Sequence, residues 1–223
     1  MNKVKLSVFV LFIVLATNVY AQLGIGVKGG LDINTVTRSN SGRIDETYHA
    51  KNGADYGLVL SCQINDFFAL RANVEMMTRS HTMKRNLNAV KGIYTDYNNK
   101  YLTVPVMADF ITKFGDTKIR GHFMIGAYVS YWMSANVSGK TFDVYDDIKP
   151  FDEPKEFNEY HNRLVAGAVA GPGLSCELSE NISLELDALL YYDLMSYMKI
   201  SKVSADPRYN NTVSLTLGVI YKL

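Results

Sequence analysis

Four histidines, two cysteines and one glycine triplet are the residues of this chain whose types and spacing could support chemistry. Gly24-x-Gly26-x-x-Gly29 matches the dinucleotide-binding fingerprint in letters. That chemistry needs a strand before the glycines and a helix after them, so that the helix N-terminus meets the pyrophosphate. Here an apolar leader precedes them and a polar loop follows, so they read as small residues of a tightly curved strand and no cofactor is expected. His49, His81 and His161 fall in three separate polar loops, and His122 falls in an alternating segment. No two stand at metal-ligand spacing, so solvated loop histidines are expected and no metal ligand is assigned. A Ser-His-acid lipid hydrolase is the enzyme class worth naming. No Ser lies within a local signature around any of these histidines, so no catalytic residue is assigned and the chain does not read as an enzyme.

Charge is the other chemical resource. The segment His81 to Lys100 carries Lys84, Arg85, Lys91 and Lys100 against Asp96 alone. The segment Asp143 to Glu159 carries Asp143, Asp146, Asp147, Asp152, Glu153, Glu156 and Glu159 against Lys149 and Lys155. Solvated surface is the plain reading of both. The sharper one is that they pair, or that the acidic segment takes a divalent cation or bridges to lipid headgroups. The formal net charge of +1 argues against a nucleic-acid partner, which wants a basic surface.

The elements that must position these groups are strands. In Asn211 to Leu223, Val213, Leu215, Leu217, Val219, Tyr221 and Leu223 alternate with Thr212, Ser214, Thr216, Gly218, Ile220 and Lys222. A period of two means an extended strand with two different surroundings. The pattern recurs at Leu23 to about Thr37, Gly53 to Gln63, Phe68 to Ser80, Lys100 to Thr112, Lys118 to Met133, Asn162 to Glu177 and Ile182 to Ser196. Pro105 predicts a bulge or local break and Pro172 a kink, because proline donates nothing to a ladder. The Gly- and Ala-rich Asn162 to Glu177 leaves its register open. Connections alternate long and short, with Ile64-Asn65-Asp66-Phe67, Lys113 to Thr117 and Leu178 to Asn181 as the short ones.

This predicts an all-β fold: an eight-stranded antiparallel up-and-down transmembrane β-barrel with short periplasmic turns and longer extracellular loops. Each strand exceeds the ~9–11 residues of a tilted span. The polar faces hold Lys28, Arg71, Lys118, Arg120 and Lys222, with Asp32, Glu75, Asp109, Glu185 and Asp187. A Lys or Arg facing lipid near mid-bilayer costs about 2–4 kcal/mol, so these ten residues belong inside. Eight strands leave an interior just wide enough for side chains, so the charge cluster is expected to plug the lumen. Cys62 and Cys176 then sit on opposite walls, beyond the ~7 Å limit for a disulfide, and read as small outward hydrophobes.

The N-terminus carries Lys3 and Lys5, an apolar run from Leu6 to Val19, and Val19-Tyr20-Ala21 with small side chains where a signal peptidase reads. Residues 1–21 are expected to be a secretory signal peptide and 22–223 the outer-membrane barrel domain. A membrane anchor helix is the weaker reading, because the run falls short of ~18 residues. No Cys follows the expected cut, which argues against a lipoprotein anchor.

The chain resembles the PorT-like outer-membrane β-barrel family, often filed with porin-family proteins. The resemblance is carried by Gly26-Val27-Lys28-Gly29-Gly30-Leu31, Tyr101-Leu102-Thr103-Val104-Pro105-Val106, Gly171-Pro172-Gly173-Leu174, Ile182-Ser183-Leu184-Glu185 and Leu217-Gly218-Val219-Ile220-Tyr221-Lys222-Leu223. It implies an eight-stranded barrel in the outer membrane of Gram-negative bacteria, mostly without an assigned reaction, whose founding member is linked to protein secretion. Outer-membrane lipids and the outer-membrane assembly machinery are the partners it implies. That machinery usually reads a terminal Phe; this chain ends in Leu223. The function expected is a structural or binding scaffold presenting extracellular loops, with a lipid-modifying enzyme or a narrow, secretion-associated pore as alternatives.

Overall fold

Alternation of period two carries each apolar face outward and each polar face inward, and the chain closes on itself. A computed structural model describes residues 22–38, 46–85, 92–115, 117–142, 147–199 and 207–223. The expected signal peptide lies outside these residues. The strands are β1 (Gln22–Arg38), β2 (Glu46–Asn65), β3 (Phe68–Arg85), β4 (Tyr94–Lys113), β5 (Ile119–Phe142), β6 (Ile148–Pro154), β7 (Leu164–Glu177), β8 (Ile182–Asp193) and β9 (Arg208–Lys222). Neighbours run β4-β3-β2-β1-β9-β8-β7-β5, and β4 pairs with β5, so eight strands form a ring. The first and last strands close it over an antiparallel register from Gly24–Lys222 to Arg38–Arg208.

The ring matches the eight-strand expectation; β6 is an addition. It lies in the long connection and pairs with β5 from Asn136–Pro154 to Phe142–Ile148. Several segments expected as loops are strand extensions. β3 and β4 stay paired out to Lys84–Tyr94, and β5 runs on to Phe142. Beyond the bilayer both faces of a strand meet water, so the apolar parity disappears while the ladder hydrogen bonds persist. The short turns form as expected. The backbone N–H of Phe67 donates to Asn65 Oδ1 at 2.9 Å, an Asx turn.

The sidedness is sharp. Val27 is 59% exposed and Leu31 61%, whereas Lys28 and Asp32 are 5% and 0% exposed. An apolar belt this continuous on the eight strands of the ring is the surface that lipid covers. Pro105 shifts no register. It pairs opposite Tyr128, while the β3–β4 ladder is interrupted between Ala72–Val106 and Glu75–Thr103. Pro172 does the same between Ala170–Leu190 and Gly173–Asp187. Both breaks follow from the missing N–H. The bulge in β4–β5 lies elsewhere, between Lys100 and Tyr101. In β7 the inward residues are Val165, Gly167, Val169, Gly171, Gly173 and Ser175. A Cβ at Gly167 would lie 2.5 Å from Tyr128 Oη, so glycine is what lets that ring cross the lumen.

The interior departs from the expected all-polar filling. Met77, Met107, Met124, Tyr128, Val169, Leu189 and Tyr191 form a buried apolar cluster inside the ring. At the long-loop end Val36, Tyr101, Trp132, Ala135, Val165 and Tyr197 form a second, with Tyr48, Phe157 and Met198 packed on it. Alternation alone reports which face a residue takes, and methionine and tyrosine suit an irregular lumen that must also accept hydrogen bonds.

Candidate functional site: the filled lumen

The lumen is crossed by bonds between β3 and β8, which lie four positions apart in the ring of eight and so face each other. On β3 the inward residues recur every second position. Arg71 Nη1 donates to Glu185 Oε2 at 2.8 Å and its Nη2 to Asp187 Oδ2 at 2.7 Å. Tyr191 Oη donates to Glu75 Oε2 at 2.8 Å. Arg79 Nη1 donates to Asp193 Oδ1 at 3.1 Å and Nη2 to Ser130 Oγ at 3.2 Å. Its guanidinium also lies over the rings of Tyr101 and Tyr128, at 5.0 and 5.2 Å. Such pairs hold only when every remaining lone pair and proton is matched. Tyr128 Oη and the backbone and side-chain nitrogens of Asn210 complete Asp193.

Lys28 reaches Glu75 Oε1 at 2.5 Å and Asp55 Oδ2 at 3.4 Å, and Ser214 Oγ donates to Asp55 Oδ2 at 2.6 Å. Asp32 is buried beside this group with no hydrogen-bond partner among the described residues. Near the short-turn end Glu177 Oε1 accepts from Arg120 Nη2 at 2.6 Å and Lys222 Nζ at 2.5 Å, half-buried. Of the ten residues expected inside, Lys118 is the exception. It stands exposed in the bend before β5, because that strand begins one residue later, at Ile119. Asp55, Arg79, Asp193 and Glu177 belong to the network and were not named from sequence. Asp55 and Arg79 lie within the strands expected from sequence, Gly53 to Gln63 and Phe68 to Ser80, and at their inward parity.

Asp109, on the other side of the same lumen, joins a different group. Its carboxylate oxygens lie 3.1 and 3.0 Å from His122 Nδ1, and His122 Nε2 lies 2.7 Å from Ser175 Oγ. The three residues come from β4, β5 and β7, consecutive in the ring. His122 pairs directly with Ile111 and Gly173, while Asp109 pairs with Met124 and Ser175 with Arg120. Asp109 and Ser175 are therefore its diagonal inward neighbours, within reach of a long side chain. A search for local signatures cannot find this Ser, which is 53 residues from the histidine.

The remaining histidines divide. His49 is exposed. His81 is buried on β3, stacked on Tyr97 at 4.7 Å, and so is no solvated loop residue. His161 packs edge-on against Trp132 and Phe157. Burial first, then the charge of Lys155, moves the His161 pKa down. Lys155 Nζ lies over Tyr97 and Trp132 at 5.3 and 5.2 Å, so the acidic segment folds back onto rings of β4 and β5. Burial and then the Arg208 charge bring its pKa down to about 8. The two rings pull the other way, toward the ammonium; desolvation is the larger effect here. Asp143, Asp146 and Lys91 lie outside the described residues, and among those described no three acid, His or Cys side chains converge as metal ligands would. Cys62 and Cys176 are free thiols on β2 and β7, opposite in the ring.

The model of the outer membrane protein beta-barrel domain family matches residues 18–198. Among solved structures, the outer-membrane protease OmpT of Escherichia coli is 9% identical, with 91% of this chain and 97% of that chain covered and a TM-score of 0.53. The outer membrane protein OprG of Pseudomonas aeruginosa is 11% identical over 90% of this chain and 95% of that one, with a TM-score of 0.48. Neisserial surface protein A is 17% identical over 89% and 97%, with a TM-score of 0.44. No curated protein matches.

Proposed function

This chain belongs to the outer membrane protein β-barrel domain family and resides in the outer membrane, and on that premise we propose that it is a plugged frame that holds its long hairpins and loops toward the exterior as a binding or structural surface. The observation that carries this reading is the set of cross-lumen bonds from Arg71, Glu75 and Arg79 to β8, under the aromatic cap of Tyr101, Trp132 and Tyr197. A solute path would have to break these buried, paired charges, at several kcal/mol each. The outer face meets lipid, and the last strand is the segment the assembly machinery reads. Within the family, the five motifs from Gly26 to Leu223 support reading the chain as one of its PorT-like members.

Planar-bilayer recording tests the plug. The wild-type protein gives no steady conductance, and the double variant Arg71→Gly, Arg79→Gly, with two struts removed, does. A steady open level in the wild type would overturn the reading. A second reading, a reaction at the short-turn end, is favoured by the Asp109–His122–Ser175 chain.

A further inference from the structure

The Asp109–His122–Ser175 chain differs in kind from the rest of the lumen filling. Elsewhere the bonded lumen acids meet an Arg, Lys or Tyr. Here a carboxylate holds Nδ1–H of an imidazole, which fixes the tautomer and turns Nε2, as a base, toward a hydroxyl at 2.7 Å. That order of acid, imidazole and hydroxyl is the arrangement that activates a serine. The group also has access. It lines a cavity of about 50 Å³ at the end of the barrel bearing the short turns, which Arg71, Arg120 and Glu177 also line. Such a volume takes a few waters or one small acyl group, since one water needs only ~10–15 Å³ by this measure. Arg120, directly across the β5–β7 ladder from Ser175 and bonded to Glu177, is the cation on hand for developing negative charge. The Arg71 bonds close the lumen beyond, so long acyl chains are excluded.

We propose that Ser175 is a catalytic nucleophile that hydrolyses small carboxylic esters entering from the periplasmic mouth. Ser175 Oγ attacks the carbonyl carbon as its proton passes to His122 Nε2. The C–O bond to the leaving alcohol breaks, and His122 returns the proton to that oxygen. Water then attacks the acyl-serine ester and gives a proton to His122. The acyl–Oγ bond breaks to release a carboxylic acid, and Ser175 recovers its proton. Asp109 is a positioning residue that keeps Nδ1 protonated.

The test uses the full barrel folded in detergent, with heat-shifted gel mobility confirming the fold of every variant. The probes are p-nitrophenyl acetate and a small fluorophosphonate, with peptide mass mapping. The expected result is labelling at Ser175, abolished in Ser175→Ala. In the size-conserving His122→Gln and Asp109→Asn, labelling and ester turnover fall by about 100-fold or more. A small methanethiosulfonate on Ser175→Cys, made together with Cys62→Ala and Cys176→Ala, reports access separately. A cysteine that reacts beside an unlabelled wild type shows an ordinary hydroxyl and overturns the proposal. A cysteine that stays unreactive shows a closed cavity and overturns it too, as does wild-type labelling in His122→Gln. None of these results bears on conductance, so the plugged frame stands or falls separately.

Discussion

Arg79 on β3 and Asp193 on β8 stand on opposite walls of the barrel, yet they meet at 3.1 Å across it, both fully buried. Removing one partner of such a pair strands the other charge without water. Arg79→Met is expected to lower the unfolding free energy by about 3–5 kcal/mol. The double variant Arg79→Met, Asp193→Asn should recover most of that loss, because no uncompensated charge remains. Urea unfolding of the detergent-folded protein, followed by gel mobility, measures both.

The outer face carries the complementary expectation. Leu215 points outward from β9 between Leu31 and Ala188. Leu215→Arg near the bilayer midplane should cost about 2–4 kcal/mol in lipid vesicles. An equal cost for Leu215→Ala would show that packing, and not the hydrocarbon medium, sets the penalty.

Lys155 gives the segment from Pro154 to Arg163 a pH response. Its folded pKa is about 8, below the ordinary 10.5, so between those values the unfolded segment holds the proton that the folded one has lost. Stability of the packed segment therefore rises with pH across that window, and below about pH 8, where both states hold the proton, Lys155 adds no further pH dependence. His161, moved down in the same way, adds a further loss at acid pH. Trp132, the only tryptophan, lies under Lys155 and beside His161. Its emission should change with a midpoint near pH 8, and Lys155→Met should remove that step while leaving the acid one.

Strand number and sidedness were legible because lipid outside and charge inside impose one parity on each strand. The run from Val213 to Leu223 states it with Ile220 as the one apolar residue turned inward, where it is buried. What parity does not encode is depth. It gave no sign that Lys118 stops short of the lumen, that β6 would pair above the bilayer, or that Met77 and Met124 would share the interior with Arg71. Ser175 was hidden for a different reason. In Asn162 to Glu177 glycine and alanine alternate with little contrast, so neither face is marked, and only the ladder with β5 fixes which way the hydroxyl points. The Asp109–His122–Ser175 contact is a product of register between three strands, and no local spacing records it.

The seam between β1 and β9 joins the two ends of the described chain, from Gly24–Lys222 to Arg38–Arg208. Until that zipper engages, two raw edges of unpaired amides and carbonyls face a medium that cannot hydrate them. Insertion is therefore all-or-none with respect to the last strand. A chain arrested before Arg208 has every other wall in place and still no way to rest in hydrocarbon, because both edges stay open.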